Sequence, residues 1–211
     1  MSTTMAGNGS DFDPQQAATL LNQTRQRARR QLEPNPPWQL ATRAAMALIG
    51  YGALWLTTRG QHPYMYPTAA AAPAGILVGA INLTVVTVAA KRANAGVSGR
   101  SRLRPAEIAT ITVVMAGVFA VMGVLAGAGV SDSIVWGIYP AAVPLIAGGL
   151  TWAGVMAARG NRRMAGTSLA IAAVGAAATF AGPAGAWLVD AVGVSAVMLV
   201  SAAIVARQHQ A

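Results

Sequence analysis

The chain has 211 residues, 55% of them hydrophobic and only 10% charged, with a formal net charge of +9 and no cysteine. Soluble domains carry about 25% charged residues, so a water-soluble globule is excluded: it would have too little polar surface to cover itself. The missing cysteines exclude disulfides, thiolate metal sites and thiol nucleophiles, while apolar stretches of roughly 18 or more residues predict an all-α, polytopic helical membrane protein.

Residues 1–13 read as a disordered N-terminal tail. No cleavable signal peptide is recognisable, because the first apolar run begins only after about forty residues and lacks a small-residue cleavage site. The N-terminus is therefore expected to be retained.

Residues 14–33 predict a cytoplasmic amphipathic helix. Asp13 can cap it, Pro14 suits the first helical position, Gln16 can return the capping-box bond, and Pro34, Pro36 and Pro37 end it. Ala17, Leu20, Leu21, Thr24, Ala28 and Leu32 recur at helical spacing, with arginines to the side. Such a helix can lie on the membrane surface, where each cation near acidic lipid contributes about 1 kcal/mol. It can also dock a cytosolic partner or another membrane protein, or stay free in solution. The surface-bound reading is favoured.

Six apolar runs follow, at 38–58, 69–90, 107–129, 134–158, 164–182 and 186–206, and predict a six-helix transmembrane bundle over 38–206 with a cytoplasmic tail at 207–211. The backbone in hydrocarbon must satisfy its own hydrogen bonds, and no alternating pattern suggests a barrel. The fifteen Lys and Arg residues test that count. Arg25, Arg27, Arg29, Arg30 and Arg43 precede or open the first span; Lys91, Arg92, Arg100, Arg102 and Arg104 fill the loop after the second; Arg159, Arg162 and Arg163 follow the fourth and Arg207 the sixth. Six spans put fourteen of these cations on one side and Arg59 alone on the other. By the positive-inside rule the first side is cytoplasmic, so both termini are expected inside a bacterial inner membrane.

The stretch "KRANAGVSGRSRLR" at 91–104 is thus read as an orientation signal. With Arg25, Arg29 and Arg30, its Lys91, Arg92, Arg100, Arg102 and Arg104 are the candidates for contact with anionic lipid head groups. A pI near 11.5 also suits nucleic acid, but the loop has no aromatic residue to stack on bases, and no nucleic-acid partner is expected. Trp55, Tyr64, Tyr66, Trp136, Tyr139 and Trp187 fall toward outer span ends and Trp38 at an inner one, as interfacial belts require. Trp152 is expected to pack between helices.

Small residues let helices approach closely in lipid. "GILVG" at 75–79, "GVLAG" at 123–127, and Gly149 with Ala153 all have the required spacing and together predict a compact bundle. The second and fourth spans share a Tyr-Pro start, a second proline (Pro73, Pro144) and an Ala-Ala-cation finish. This is either a relic of duplication or a set of shared topology signals, the latter being favoured.

Chemistry is scarce. "GVSG" at 96–99 looks like the nucleophile motif of rhomboid proteases, but Ser98 lies in the basic loop, and His62 and His209 lie in a loop and the tail, so no intramembrane serine–histidine pair can form. No phosphate-binding loop or metal cluster is recognisable. No catalytic residue, cofactor or metal is expected. The remaining pointers are polar residues inside spans: Asn82 in the second, Asp190 near the outer end of the sixth and Arg43 near the inner end of the first. Asp190 and Arg43 are expected at opposite interfaces, each reaching head groups or water. Asn82, Thr84 and Thr87 are expected to bond between helices.

"DPQQAATLLNQTRQRARRQLEPNPP", followed by an aromatic-flanked first span, "GVSGRSRLR" and "YPAAVPLIAGG", resembles a group of uncharacterised integral membrane proteins of high-GC actinobacteria. In that group an Asp-Pro, Arg-rich helix ending in a proline turn precedes the bundle. The resemblance implies a six-span fold over nearly the whole chain and no particular activity. The expectation is a non-catalytic accessory or regulatory partner of another membrane system. The alternative is a small transporter or channel subunit for an apolar or weakly polar solute, with Asn82 and Asp190 near its route.

Overall fold

The structure, a computed structural model, describes residues 15, 18–21, 37–64, 66–78, 80–81, 84, 88 and 103–210. These residues form helices and turns, with no strand among them. The chain divides into two units, Met1–Pro34 and Asn35–Ala211. In the first, Gln15 and residues 18–21 are helical, and Leu20 and Leu21 are exposed. The rest of the predicted amphipathic helix, including Arg25, Arg29 and Arg30, lies outside the described residues.

The second unit holds α1 (Pro37–Thr58), the short apolar helix α2 (Ala69–Val78), α3 (Leu103–Gly127), α4 (Tyr139–Ala158), α5 (Arg162–Ala178) and α6 (Gly182–Gln210). Among the described residues four helices are long and apolar enough to cross a membrane: Pro37–Thr58, Ala106–Gly127, Ser133–Ala158 and Gly182–Gln208. Two of the six expected runs are not among these four. The second is helical at 69–78 and at residues 80, 81, 84 and 88, the remainder of 69–90 lying outside the described residues. The fifth, expected at 164–182, is a 17-residue helix, about 26 Å long against a hydrocarbon core of about 30 Å. Its start is fixed by Asn161, whose side-chain oxygen accepts from the Met164 N–H at 3.1 Å, satisfying one orphan donor of the first turn.

α4 is entered through a π-helical turn, Ser133–Ile138. Pro140 lacks an N–H, so the Trp136 carbonyl loses its α-helical partner. The Tyr64 hydroxyl donates to that carbonyl at 3.0 Å. Gly137 is required here, because a Cβ on it would lie 2.5 Å from Pro183 Cβ and 3.1 Å from the Tyr64 ring.

α1 packs chiefly on α6, α4 on α5, and α5 on α6, while α3 leans on α4 and the π turn. Gly149 and Ala153 act as the spacing predicts: both are buried, and a Cβ on Gly149 would stand 2.8 Å from the Ser168 carbonyl oxygen. Among the described residues nothing packs closely on the glycines of the "GVLAG" motif. Ala116, Ala120, Gly123 and Gly127 form one exposed stripe on α3, and Cβ atoms on Gly123 and Gly127 would meet nothing within 4 Å. Gly75 of "GILVG" also faces open space. Trp152 packs against the buried Met156, Met164 and Ala165, between helices as expected.

Candidate functional site

α1 and α6 run antiparallel with their small residues facing. Leu40 packs on Ala202 and Val205 toward one end. In the middle the Ser195 hydroxyl donates to the Ala44 carbonyl at 2.8 Å. Toward the other end Tyr51 stacks on Trp187, ring centroids 6.2 Å apart. One turn beyond Trp187, between that aromatic pair and Ser195, α6 carries Asp190.

Asp190 is 0% exposed, and neither carboxylate oxygen has a hydrogen-bond partner. The expectation of an interfacial side chain reaching water is therefore overturned. Depth from the helix end is not the deciding factor here; α6 turns this residue toward α1 rather than outward. Arg43, half-buried on α1, does not answer it. Arg43 adjoins Ala44 and Asp190 precedes Ser195 by five positions, so the Ser195–Ala44 bond separates the two charged residues by roughly 9 Å of helix axis. That is closer than opposite interfaces, yet the side chains diverge, because each tilts toward the N-terminus of its own antiparallel helix. An ionised carboxylate so placed carries a desolvation cost of several kcal/mol with nothing to offset it.

Above Asp190 lies an aromatic cluster at the end of the helices that carries Arg59. The Trp187 indole N–H donates to the Tyr64 hydroxyl at 3.3 Å, and the Arg59 guanidinium sits 5.1 Å from the Trp55 ring centroid. Burial pushes the Tyr64 phenol above its ordinary value, and the Trp187 hydrogen bond opposes that shift. The aromatic residues expected as an interfacial belt here also bond one another, tying α6 to the 59–68 loop and the π turn.

Below Asp190, a polar contact that the sequence reading missed joins α5 to α6. Thr167 and Ser201, both buried, bond through their hydroxyls at 3.0 Å. The available signal was only a hydroxyl residue on each of two consecutive antiparallel helices; their register, eleven residues before the end of α5 and nineteen after the start of α6, is not visible in the sequence. Thr84, expected to bond between helices, donates instead to the Ala80 carbonyl of its own helix at 2.9 Å. Asn82 and Thr87 lie outside the described residues.

Of the cations expected near lipid, Lys91, Arg92, Arg100 and Arg102 lie outside the described residues, and Arg104 falls in the first turn of α3. At the same end, Arg159 forms an ion pair with Glu107, linking α4 to α3, and Arg163 donates to the Gln208 side-chain oxygen at 2.7 Å. Among the described residues no cluster of three or more His, Asp or Glu is placed to hold a metal. The arrangement assembles one buried acid, unpaired, beneath an aromatic cap. Comparisons with protein-family models, curated proteins and solved structures find no match to this chain.

Proposed function

We propose that the chain is a six-span protein of a bacterial inner membrane, with both termini and the 14–33 amphipathic helix cytoplasmic, serving as a non-catalytic accessory subunit of another membrane system. In this reading α2 continues through 69–90 as a span and α5 crosses as a short one. The segregation of cations under six spans supports both, and "GVSGRSRLR" with "YPAAVPLIAGG" resembles the actinobacterial group of the same architecture. The observation that carries the accessory role is the α3 stripe. Ala116, Ala120, Gly123 and Gly127 have the small-residue spacing that lets helix backbones meet in lipid, and all four are exposed. A transmembrane helix of a partner fits that face. The test is co-purification of tagged protein from native membranes, beside the double variant Gly123→Leu and Gly127→Leu. A stoichiometric membrane partner retained by the wild type and lost by the variant supports the role; wild-type protein that emerges alone and monomeric contradicts it.

Asp190 favours a second reading, a small carrier or channel subunit. A buried ionisable residue within a membrane helix is costly and marks ion or solute pathways. Reconstituted vesicles test it with Asp190→Asn and Asn82→Leu. Flux of a proton or weakly polar solute that both variants abolish supports the reading, and unchanged flux removes these residues from any route.

A further inference from the structure

Along the seam of α5 and α6, on the side away from α1, runs an open groove of about 430 Å³. Its α5 wall is Gly166, Thr167 and Ala170, its α6 wall Val200, Ser201 and Ile204, and Arg163 stands at one end. Between Arg163 and Ala170 it is roughly 11 Å long. Thr167 and Ser201 bond to each other, so the lining turns its hydroxyls inward and presents hydrocarbon. Val200 and Ile204 remain 59% and 43% exposed. At the Arg163 end the chain also carries Arg162 and Arg207, both exposed, and α5 starts there, presenting the positive end of its dipole.

We infer that this groove is a binding site for an anionic phospholipid, its acyl chain lying along the α5–α6 seam and its phosphate against Arg163. The charge and the shape select the occupant together. A peptide strand would bury backbone polar groups against walls with no free partner for them, whereas an acyl chain has none to satisfy. A guanidinium at the mouth of an apolar channel matches a phosphate joined to such a chain through glycerol. Gly166 borders open space on the α5 wall, where a Cβ would meet nothing within 4 Å, so a long side chain there would extend into the groove. The inference rests on the reading of the chain as lipid-embedded, but its readout does not depend on which side the arginines face, so the two fail separately.

Native mass spectrometry of detergent-purified protein, given equal amounts of phosphatidylglycerol and phosphatidylcholine with identical chains, tests the site. The wild type is expected to retain phosphatidylglycerol with a preference of roughly tenfold, because both lipids offer the same phosphate to Arg163 but the choline cation of phosphatidylcholine offsets that charge beside Arg162 and Arg207. Arg163→Gln should bring that preference close to parity, and Arg163→Lys, which keeps the charge, should preserve most of it. Gly166→Leu, which fills the groove while improving helix propensity, should lose both lipids. Wild-type protein without a preference overturns the site, as does an Arg163→Gln preference equal to wild type or undiminished retention by Gly166→Leu. Equal binding of glycerol 3-phosphate, which has no chain, overturns it as well.

Discussion

At the scale of single residues, the molecule sets one unsatisfied acid against several satisfied polar contacts. Ser195, Thr167 and Ser201 each reach a partner, whereas Asp190 has none. Removing an uncompensated buried carboxyl without adding volume should stabilise the fold. Asp190→Ala is therefore expected to raise the thermal unfolding temperature in detergent at neutral pH, by several degrees. A fall would mean that the carboxyl is bonded in the native protein. Ser195→Ala should do the opposite, losing about 1 kcal/mol with its hydrogen bond. The glycines divide in the same way. Gly149→Ala pushes a methyl against the Ser168 carbonyl oxygen and should cost about 1–3 kcal/mol. Gly127→Ala meets open space and should leave the fold's stability unchanged or slightly improved. Thermal unfolding of the pair checks both. The sequence revealed that Asp190 sits in a span and that Gly149 and Gly127 belong to small-residue motifs. It did not reveal which face each occupies, because a uniformly apolar helix has no amphipathic stripe to orient it and the neighbours decide.

At the scale of elements, hydropathy located the helices better where they are bounded by sharp polarity changes. The first and fourth runs, read as 38–58 and 134–158, match Pro37–Thr58 and Ser133–Ala158 within one residue, because prolines, an arginine or a Ser-Asp turn flank them. The fifth was read as 164–182 and is Arg162–Ala178. Its apolar composition runs on through the turn, and the Asn161 cap starts it two residues early. The π turn was not legible at all; it depends on Pro140 emptying a carbonyl and on Tyr64 arriving from the 59–68 loop to fill it. That tie makes a pH-dependent prediction. Only the protonated phenol can donate to Trp136, and its folded value is raised, so its contribution is complete below the ordinary tyrosine value of about 10. It is lost as pH rises through the folded value. Tyr64→Phe should lower stability by about 1 kcal/mol at neutral pH, and the gap to wild type should close above pH of about 10. A gap that persists unchanged in strong alkali would place the effect in ring packing instead.

At the scale of the whole molecule, the described helices and the cations make one argument. α1, α4, α5 and α6 build a core from small residues. α3 keeps an apolar outer face, with Val113 and Val124 each 70% exposed, which suits lipid or another helix and not water. Apart from Arg43 and Asp190, the charged residues described gather at helix ends, where Glu107 with Arg159 and Gln208 with Arg163 join neighbouring elements. Exposed pairs of this kind contribute little to stability, about 0–1 kcal/mol, so their placement speaks to orientation more than to folding strength. The chain contains no cysteine, which allows its threading to be read from single cysteines introduced one at a time. With a membrane-impermeant maleimide on intact cells, Tyr66→Cys, Ser131→Cys and Ala181→Cys are predicted to react from outside. Asn94→Cys, Arg162→Cys and Gln208→Cys should react only after permeabilisation. Labelling of Arg162→Cys in intact cells, or protection of Ser131→Cys there, would contradict six lipid-embedded spans pinned by an arginine-rich cytoplasmic face.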